Sequence, residues 1–343
     1  MRRRELWAEA WGRILRVLIA GRFCSPNEGS WLRWRRVLRL LTSAAMYALG
    51  LAVVSCSSSR EQVVTLYAAQ DREYVIPIIQ EFSARSGIRV DVVYDSEAVK
   101  TVALANRLLA ERNRPQCDVF WNNEELRTRQ LAREGIFRET NSWSSFGARS
   151  RRLVINTNKI SLAQAPAGLL ALTNAAWRGK VALAYPLFGS TATHFLALRQ
   201  AWGEAAWEAW CQALAKNQPF LLEGNSVVVR HVGRGEAWIG LTDSDDIAAG
   251  KRAGLPVEAL PLNGDSLLLP NTVGVTRNAP HPENAQKLFE FLQRPEVERS
   301  LVEANALETA GAATGFQTLK VNWGDLLTEI KAATAQLEKI FLR

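Results

Sequence analysis

Short β-branched runs alternate with helix-period segments along most of this chain, and each junction from run to helix carries Ser, Thr, Asn or Asp. "VVTLYAA" (63–69) reads as a strand, and "REYVIPIIQEFSARSG" (72–87) as a helix closed by Gly87. "IRVDVVY" (88–94) alternates like a second strand, followed by a helix that Pro115 stops. "CDVFW" (117–121) is a third strand, and Asn122 and Asn123 cap the helix after it. A second set starts near Ile160: strand "KVALAY", a helix from Gly189 to about Ala215, a strand near "FLLEG", a helix from "NSVVVRHVGRGE", strand "AWIGLT" and a short helix after "DSDD". "SLLLPNTVGVTR" (266–277) reads as a strand with a turn at Pro270–Asn271, and three helices finish the chain. This order predicts α/β layers on a mostly parallel sheet, with ligands bound at the strand C-termini.

The 343 residues are enough for about two domains. The formal charge of +8 is concentrated at the start: residues 1–55 hold ten Arg, no Lys and three Glu, a net of +7. The remainder is near neutral, which removes the main support for a nucleic-acid partner. "RWRRVLRL" followed by the uncharged run 40–55 has the order of a signal peptide, too short to span a bilayer, which takes roughly 20 residues. "VVSC" (53–56) resembles a bacterial lipobox, with Cys56 as the lipidated residue and 56–62 as a tether. An uncleaved signal anchor is the alternative. Four cysteines, two of them in or next to the leader, make no disulfide framework.

The junctions hold the candidate chemistry. Gly189, Ser190, Thr191 and Thr193 crowd the first turn of a helix, where unpaired N–H groups and the helix dipole favour an anion. A single N-cap would account for one of those hydroxyls. "LTDSDDIAAG" (241–250) offers Asp243, Asp245 and Asp246, either to a ligand ammonium or hard cation, or to a helix start. Ser96, Glu97, Asn122, Asn123 and Glu124 occupy equivalent ends of the first-set strands. Arg149, Arg151 and Arg152 flank a crossover strand, where Arg149 could clamp an anion, and Asn271 and Thr272 occupy the other crossover. Ser190 and His194 stand four apart on one helix with Asp243 as a potential third partner, the basis of an alternative reading as a surface hydrolase. No G-x-S-x-G elbow accompanies them. The three histidines lie in separate elements without metal-site spacing.

Taken in order, "YAAQDREYVIPIIQEFSARSGIRVDVVYDSEAVKT", "DVFWNNE", "PLFGSTATH", "GLTDSDD" and "PNTV…APHPENAQKLFEFL" resemble the ferric-iron-type extracellular solute-binding proteins of ABC importers. The resemblance implies a type II periplasmic-binding-protein fold: two α/β lobes joined by crossover strands, with the ligand in the cleft between them. It places 63–152 and 271–343 in lobe 1 and 153–270 in lobe 2. It implies a non-enzymatic, monomeric receptor without a cofactor, exported and lipid-anchored at the cell envelope, with a permease and an ATPase as partners. Known iron binders of the family hold Fe³⁺ with adjacent tyrosines. Here the corresponding region is "GLTDSDDI", and Tyr67, Tyr74, Tyr94 and Tyr185 are dispersed. Other members of the wider group resemble this chain in holding phosphate-, phosphonate- or amine-bearing solutes with a Ser/Thr-rich helix end and acidic residues. The expected ligand is therefore a small anionic or zwitterionic solute. Transported Fe³⁺, held by Glu97, Glu124, Asp243 and Asp245, is the alternative.

Overall fold

The computed structural model describes residues 62–95, 100–138, 142–309 and 317–342. The leader, Cys56, Ser96 and Glu97 lie outside them.

Three parallel strands open the first lobe: β1 (Val63–Ala68), β2 (Arg89–Val93) and β3 (Val119–Asn122), connected by helices α1 (Arg72–Ser86) and α2 (Lys100–Ala110). Helix α3 (Glu125–Arg133) follows β3. The chain then enters β4 (Trp143–Asn156), a strand of 14 residues shared by both lobes. Its first half pairs antiparallel with β9 (Leu268–Val275), which itself pairs with β3. Its second half, from Arg151, pairs with β7 (Ile239–Asp243) and β8 (Val257–Leu260). Strands β5 (Val181–Ala184) and β6 (Phe220–Leu222) complete the second sheet, both parallel to its core. The strand order is β2-β1-β3-β9-β4-β7-β5-β6, with β8 on β4.

A bulge interrupts β4 between Phe146 and Ala148. Gly147 there has φ +50°, and a Cβ on it would run into the Leu307 side chain and come within 3.0 Å of the Thr309 carbonyl oxygen. Only glycine suits that kink, which re-aims the strand just before Arg149.

Helices α4 (Gly189–Trp202), α5 (Glu204–Lys216), α6 (Asn225–Gly233) and α7 (Ser244–Arg252) cover the second sheet. The single helix expected from Gly189 to about Ala215 is thus two, divided at Gly203, whose φ of +81° and ψ of 152° no helix accommodates. The turn expected at Pro270–Asn271 is absent. Both residues continue β9, facing Ala148 and Phe146 of β4. Pro270 is tolerated because the partner strand is bulged at that register.

Helices α8 (Pro282–Leu292) and α9 (Pro295–Glu303) close the first core, giving it Leu288, Leu292, Val297 and Leu301. The last helix, α10 (Trp323–Phe341), behaves differently. Its Leu326, Ala333, Leu337 and Phe341 enter the second core beside Phe195, Trp207 and Trp210. The reading of 271–343 as lobe 1 therefore differs from the packing for this helix, whose apolar stripe matches the exposed flank of α4 and α5. Cys117 and Cys211 are both buried and unbridged. Among the described residues no helix is long and apolar enough to cross a membrane.

Candidate functional site

Strand β4 changes partner between Ser150 and Arg151, and both of its site arginines stand at that handover. Arg149 and Arg151 are almost wholly inaccessible, so their guanidinium groups turn to partners inside the protein, all but Arg151 Nε finding one. Arg149 donates from Nε and Nη2 to Asp243 Oδ2 at 3.3 and 3.1 Å, and from Nη1 to the Asn123 carbonyl at 2.6 Å. Its Nε also lies 3.3 Å from Asp245 Oδ1. Arg151 reaches Asp243 Oδ1, Asn225 Oδ1 at 3.0 Å and the Thr191 hydroxyl at 3.3 Å. Two cations thus share one carboxylate from opposite sides. Burial tends to raise the Asp243 carboxyl, but Arg151 and Arg149 outweigh it and hold the group below its ordinary range. Burial pushes Asp245 up to about 7, with the neighbouring Asp243 and Asp71 adding to it against Arg149 and the Asp246 backbone N–H. Burial acts to lower Arg149, yet Asp245, Asp243 and Asp246 keep it firmly charged.

A cavity with about 620 Å³ of atom-free space, part of it open to solvent, lies over this cluster. Its walls include Asn123, Arg149, Tyr185, Gly189, Ser190, Thr191, Asn225 and the three aspartates. Helices α1, α4, α6 and α7 all begin at it, with Asp71, Phe188, Gly224 and Asp243 as N-caps. No side chain caps any of the four. By contrast α3, whose N-cap Glu124 does not line the cavity, is capped by that side chain, which accepts from the Leu126 and Arg127 N–H groups at 2.7 and 3.1 Å. The first intrahelical bond of α4 is Ala192 N–H to the Phe188 carbonyl, so the amides of Gly189, Ser190 and Thr191 precede the ladder.

The cluster brings together Asn123, Arg149, Gly189, Ser190, Thr191, Asp243 and Asp245. It also adds Asn225, Tyr185, Glu223 and Asp71, which sequence reasoning did not select. Asn225 carries a usable signal, since it opens a helix directly after a strand and Gly224. Ser190 caps nothing: its hydroxyl donates to Asp243 Oδ2 at 2.7 Å and accepts from Asn225 Nδ2 at 2.9 Å. Glu124 and Thr193 lie off the cavity wall, bonded to each other at 2.8 Å. Asn122 also turns inward, to the Glu124 carbonyl and, at 3.1 Å, to Thr128 Oγ1, so the capping expected of Asn122 and Asn123 falls to Glu124. Asn271 is buried in β9 away from the wall, its side-chain amide without a hydrogen-bond partner among the described residues. His194 Nε2 lies 2.7 Å from the Asp265 carbonyl oxygen, one helical turn below Ser190 and bonded elsewhere, so no Ser–His pair forms. Carboxylate oxygens of Asp243, Asp245 and Asp246 fall within 4.8 Å of one another, the spacing of a hard-cation site.

Two α/β lobes that share strand β4, with a polar cavity between them, give the chain the type II periplasmic-binding-protein fold. Residues 64–304 match the family model of the bacterial extracellular solute-binding proteins, and the chain belongs to that family, whose members work with ABC permeases and ATPases. It is 29% identical over 213 residues to an Fe(3+)-binding periplasmic protein of Serratia marcescens, covering 57% of this chain and 60% of that relative's length. Iron-bound HitA from Pseudomonas aeruginosa superimposes with a TM-score of 0.72 at 21% identity, covering 81% of this chain and 99% of HitA. AfuA from Actinobacillus pleuropneumoniae, solved with fructose-6-phosphate bound, also gives 0.72, at 17% identity, covering 81% and 98%. The ferric-type resemblance and the type II fold expected from the sequence are both borne out.

Proposed function

We propose that this chain captures a small anionic or zwitterionic solute of the phosphate or phosphonate type and delivers it to an ABC permease. One observation carries the reading: the uncapped N-termini of α4, α6 and α7 converge on one cavity beside Arg149. Converging N–H groups and helix dipoles make a ready anion site. Because the Ser190 and Thr193 hydroxyls are engaged elsewhere, the amides of Gly189, Ser190 and Thr191 hold the anion, with Arg149 at its side. A cationic end of the solute faces the acidic wall of Asp71, Glu223, Asp245 and Asp246. AfuA, of the same fold, was solved with a sugar phosphate, which supports this ligand class.

Ferric iron is the second reading, favoured by the Asp243–Asp245–Asp246 oxygen cluster and by the iron-binding names of the Serratia relative and HitA. In it, aspartate oxygens replace the family's tyrosine pair, and Arg149 must release Asp243 and Asp245 or hold an accompanying anion.

The test is calorimetric titration of the purified chain with inorganic phosphate, 2-aminoethylphosphonate, fructose 6-phosphate and Fe³⁺-citrate. Binding of a phosphorus compound, weakened at least tenfold by Arg149→Met, supports the first reading. Binding of Fe³⁺-citrate alone, abolished by Asp245→Asn, replaces it with the second. Anchoring through Cys56 in a monomeric, exported form is part of the proposal, and Cys56→Ser should move the protein from the membrane to the soluble fraction.

A further inference from the structure

Helix α7 begins in the cavity and ends nine residues later at Arg252, which does not line it. About 13 Å separates the two ends of such a helix. From that far end the Arg252 guanidinium reaches the other lobe at three points. Nη2 donates to the Tyr74 hydroxyl oxygen at 2.9 Å and lies 3.4 Å from Glu73 Oε1, and Nη1 donates to the Ala304 carbonyl at 3.1 Å. Tyr74 and Glu73 belong to α1, whose N-cap Asp71 is also in the cavity wall. Ala304 terminates α9, which packs in the first core. The two helices that enter the cavity from opposite lobes are therefore joined to each other behind it.

We infer that Arg252 is a positioning residue for ligand capture: a latch between α7 and α1 that sets how often the lobes are closed, without touching the solute. Its three bonds exist only when the lobes are together, so they favour the closed state by whatever they contribute. Tyr74 is suited to the role. It is buried in the first core, and that burial, reinforced by Asp245, raises its hydroxyl so that it stays a neutral acceptor for Arg252. Apparent affinity scales with the closed fraction, so loss of half-exposed contacts of this kind should lower it about two- to fivefold.

The inference rests on the two-lobed fold and not on the ligand's identity, so its test is run without ligand. Spin labels on Gln80→Cys in α1 and Arg230→Cys in α6 report the lobe separation in the full chain carrying Cys24→Ser and Cys56→Ser, with Cys117 and Cys211 left buried. Pulsed dipolar spectroscopy should show a short-separation population that shrinks in Arg252→Ala, shrinks further in Arg252→Glu, and partly returns when Glu73→Arg is added to Arg252→Glu. Tyr74→Phe, which removes one oxygen and keeps the ring in its core, should fall between wild type and Arg252→Ala. Superimposable distributions for wild type and Arg252→Ala overturn the latch. So does a wild-type chain found wholly at the long separation.

Discussion

Ser190 Oγ donates to Asp243 Oδ2 across 2.7 Å, inside a site where both residues are shielded from water. A hydroxyl that looks available to a ligand in the sequence is thus occupied in orienting the carboxylate that two arginines share.

Removing it leaves that acceptor short of a donor. Arg149 and Asn225 still donate to that oxygen, so Ser190→Ala should destabilise the protein by about 1.5–3 kcal/mol, the worth of one hydrogen bond to a charged group. Urea unfolding at neutral pH reads this directly. A loss under 0.3 kcal/mol would mean water replaces the hydroxyl.

Arg149 neutralises two aspartates and ties them to the Asn123 carbonyl, so its loss uncovers buried charge. Arg149→Ala should cost about 3–5 kcal/mol. Arg149→Lys should recover only part, because one ammonium cannot reach Asn123, Asp243 and Asp245 in the fork geometry of a guanidinium. The urea midpoints of the two variants check the order.

His194 has its pKa pushed down to about 3 from 6.5 by burial, with Arg151 adding to it against the Asp265 carbonyl. Between those values the unfolded chain binds a proton that the folded chain refuses. His194 therefore contributes stability that is complete above pH 6.5 and is lost as the pH falls toward 3. Asp245 acts in the opposite sense, its contribution fading as pH rises toward about 7. Unfolding free energies of wild type and His194→Gln at pH 4.5 and 7.5 separate the two. The variant should lose less stability on acidification.

Gly147→Ala must hold alanine at φ +50° while its methyl meets Leu307 and the Thr309 carbonyl. Backbone strain of this kind alone costs about 1–3 kcal/mol. The melting temperature should drop by several degrees, and ligand affinity should fall with it because the bulge aims Arg149.

The strand–helix alternation was legible because periodicity is local: β1, α1, β3, β7 and α7 all follow from spacing and caps. The four helix starts at the cavity were equally readable as polar junctions. What each hydroxyl and carboxylate does there was not. Thr193 of α4 pairs with Glu124 at the start of α3, 69 residues away, and Arg151 pairs with Asp243, 92 away, across the β4–β7 register; only the tertiary fold makes those pairs neighbours. Arg151 illustrates the difficulty. A charged residue inside an apolar strand reads as an edge or surface position until an aspartate on the adjacent strand is found opposite it. The break at Gly203 was missed because the apolar spacing of α4 and α5 runs through it.

The position of α10 bears on how the protein is made. The second core lacks four of its buried side chains until residues 326–341 exist, and the first lacks β9 and α8 until residue 292. Neither half can finish folding while most of the polypeptide is still emerging from the ribosome. Partners distant in sequence make such folding slow and leave a long interval in which the chain remains open. Completion of the second core thus waits until the residues of α10 have been made.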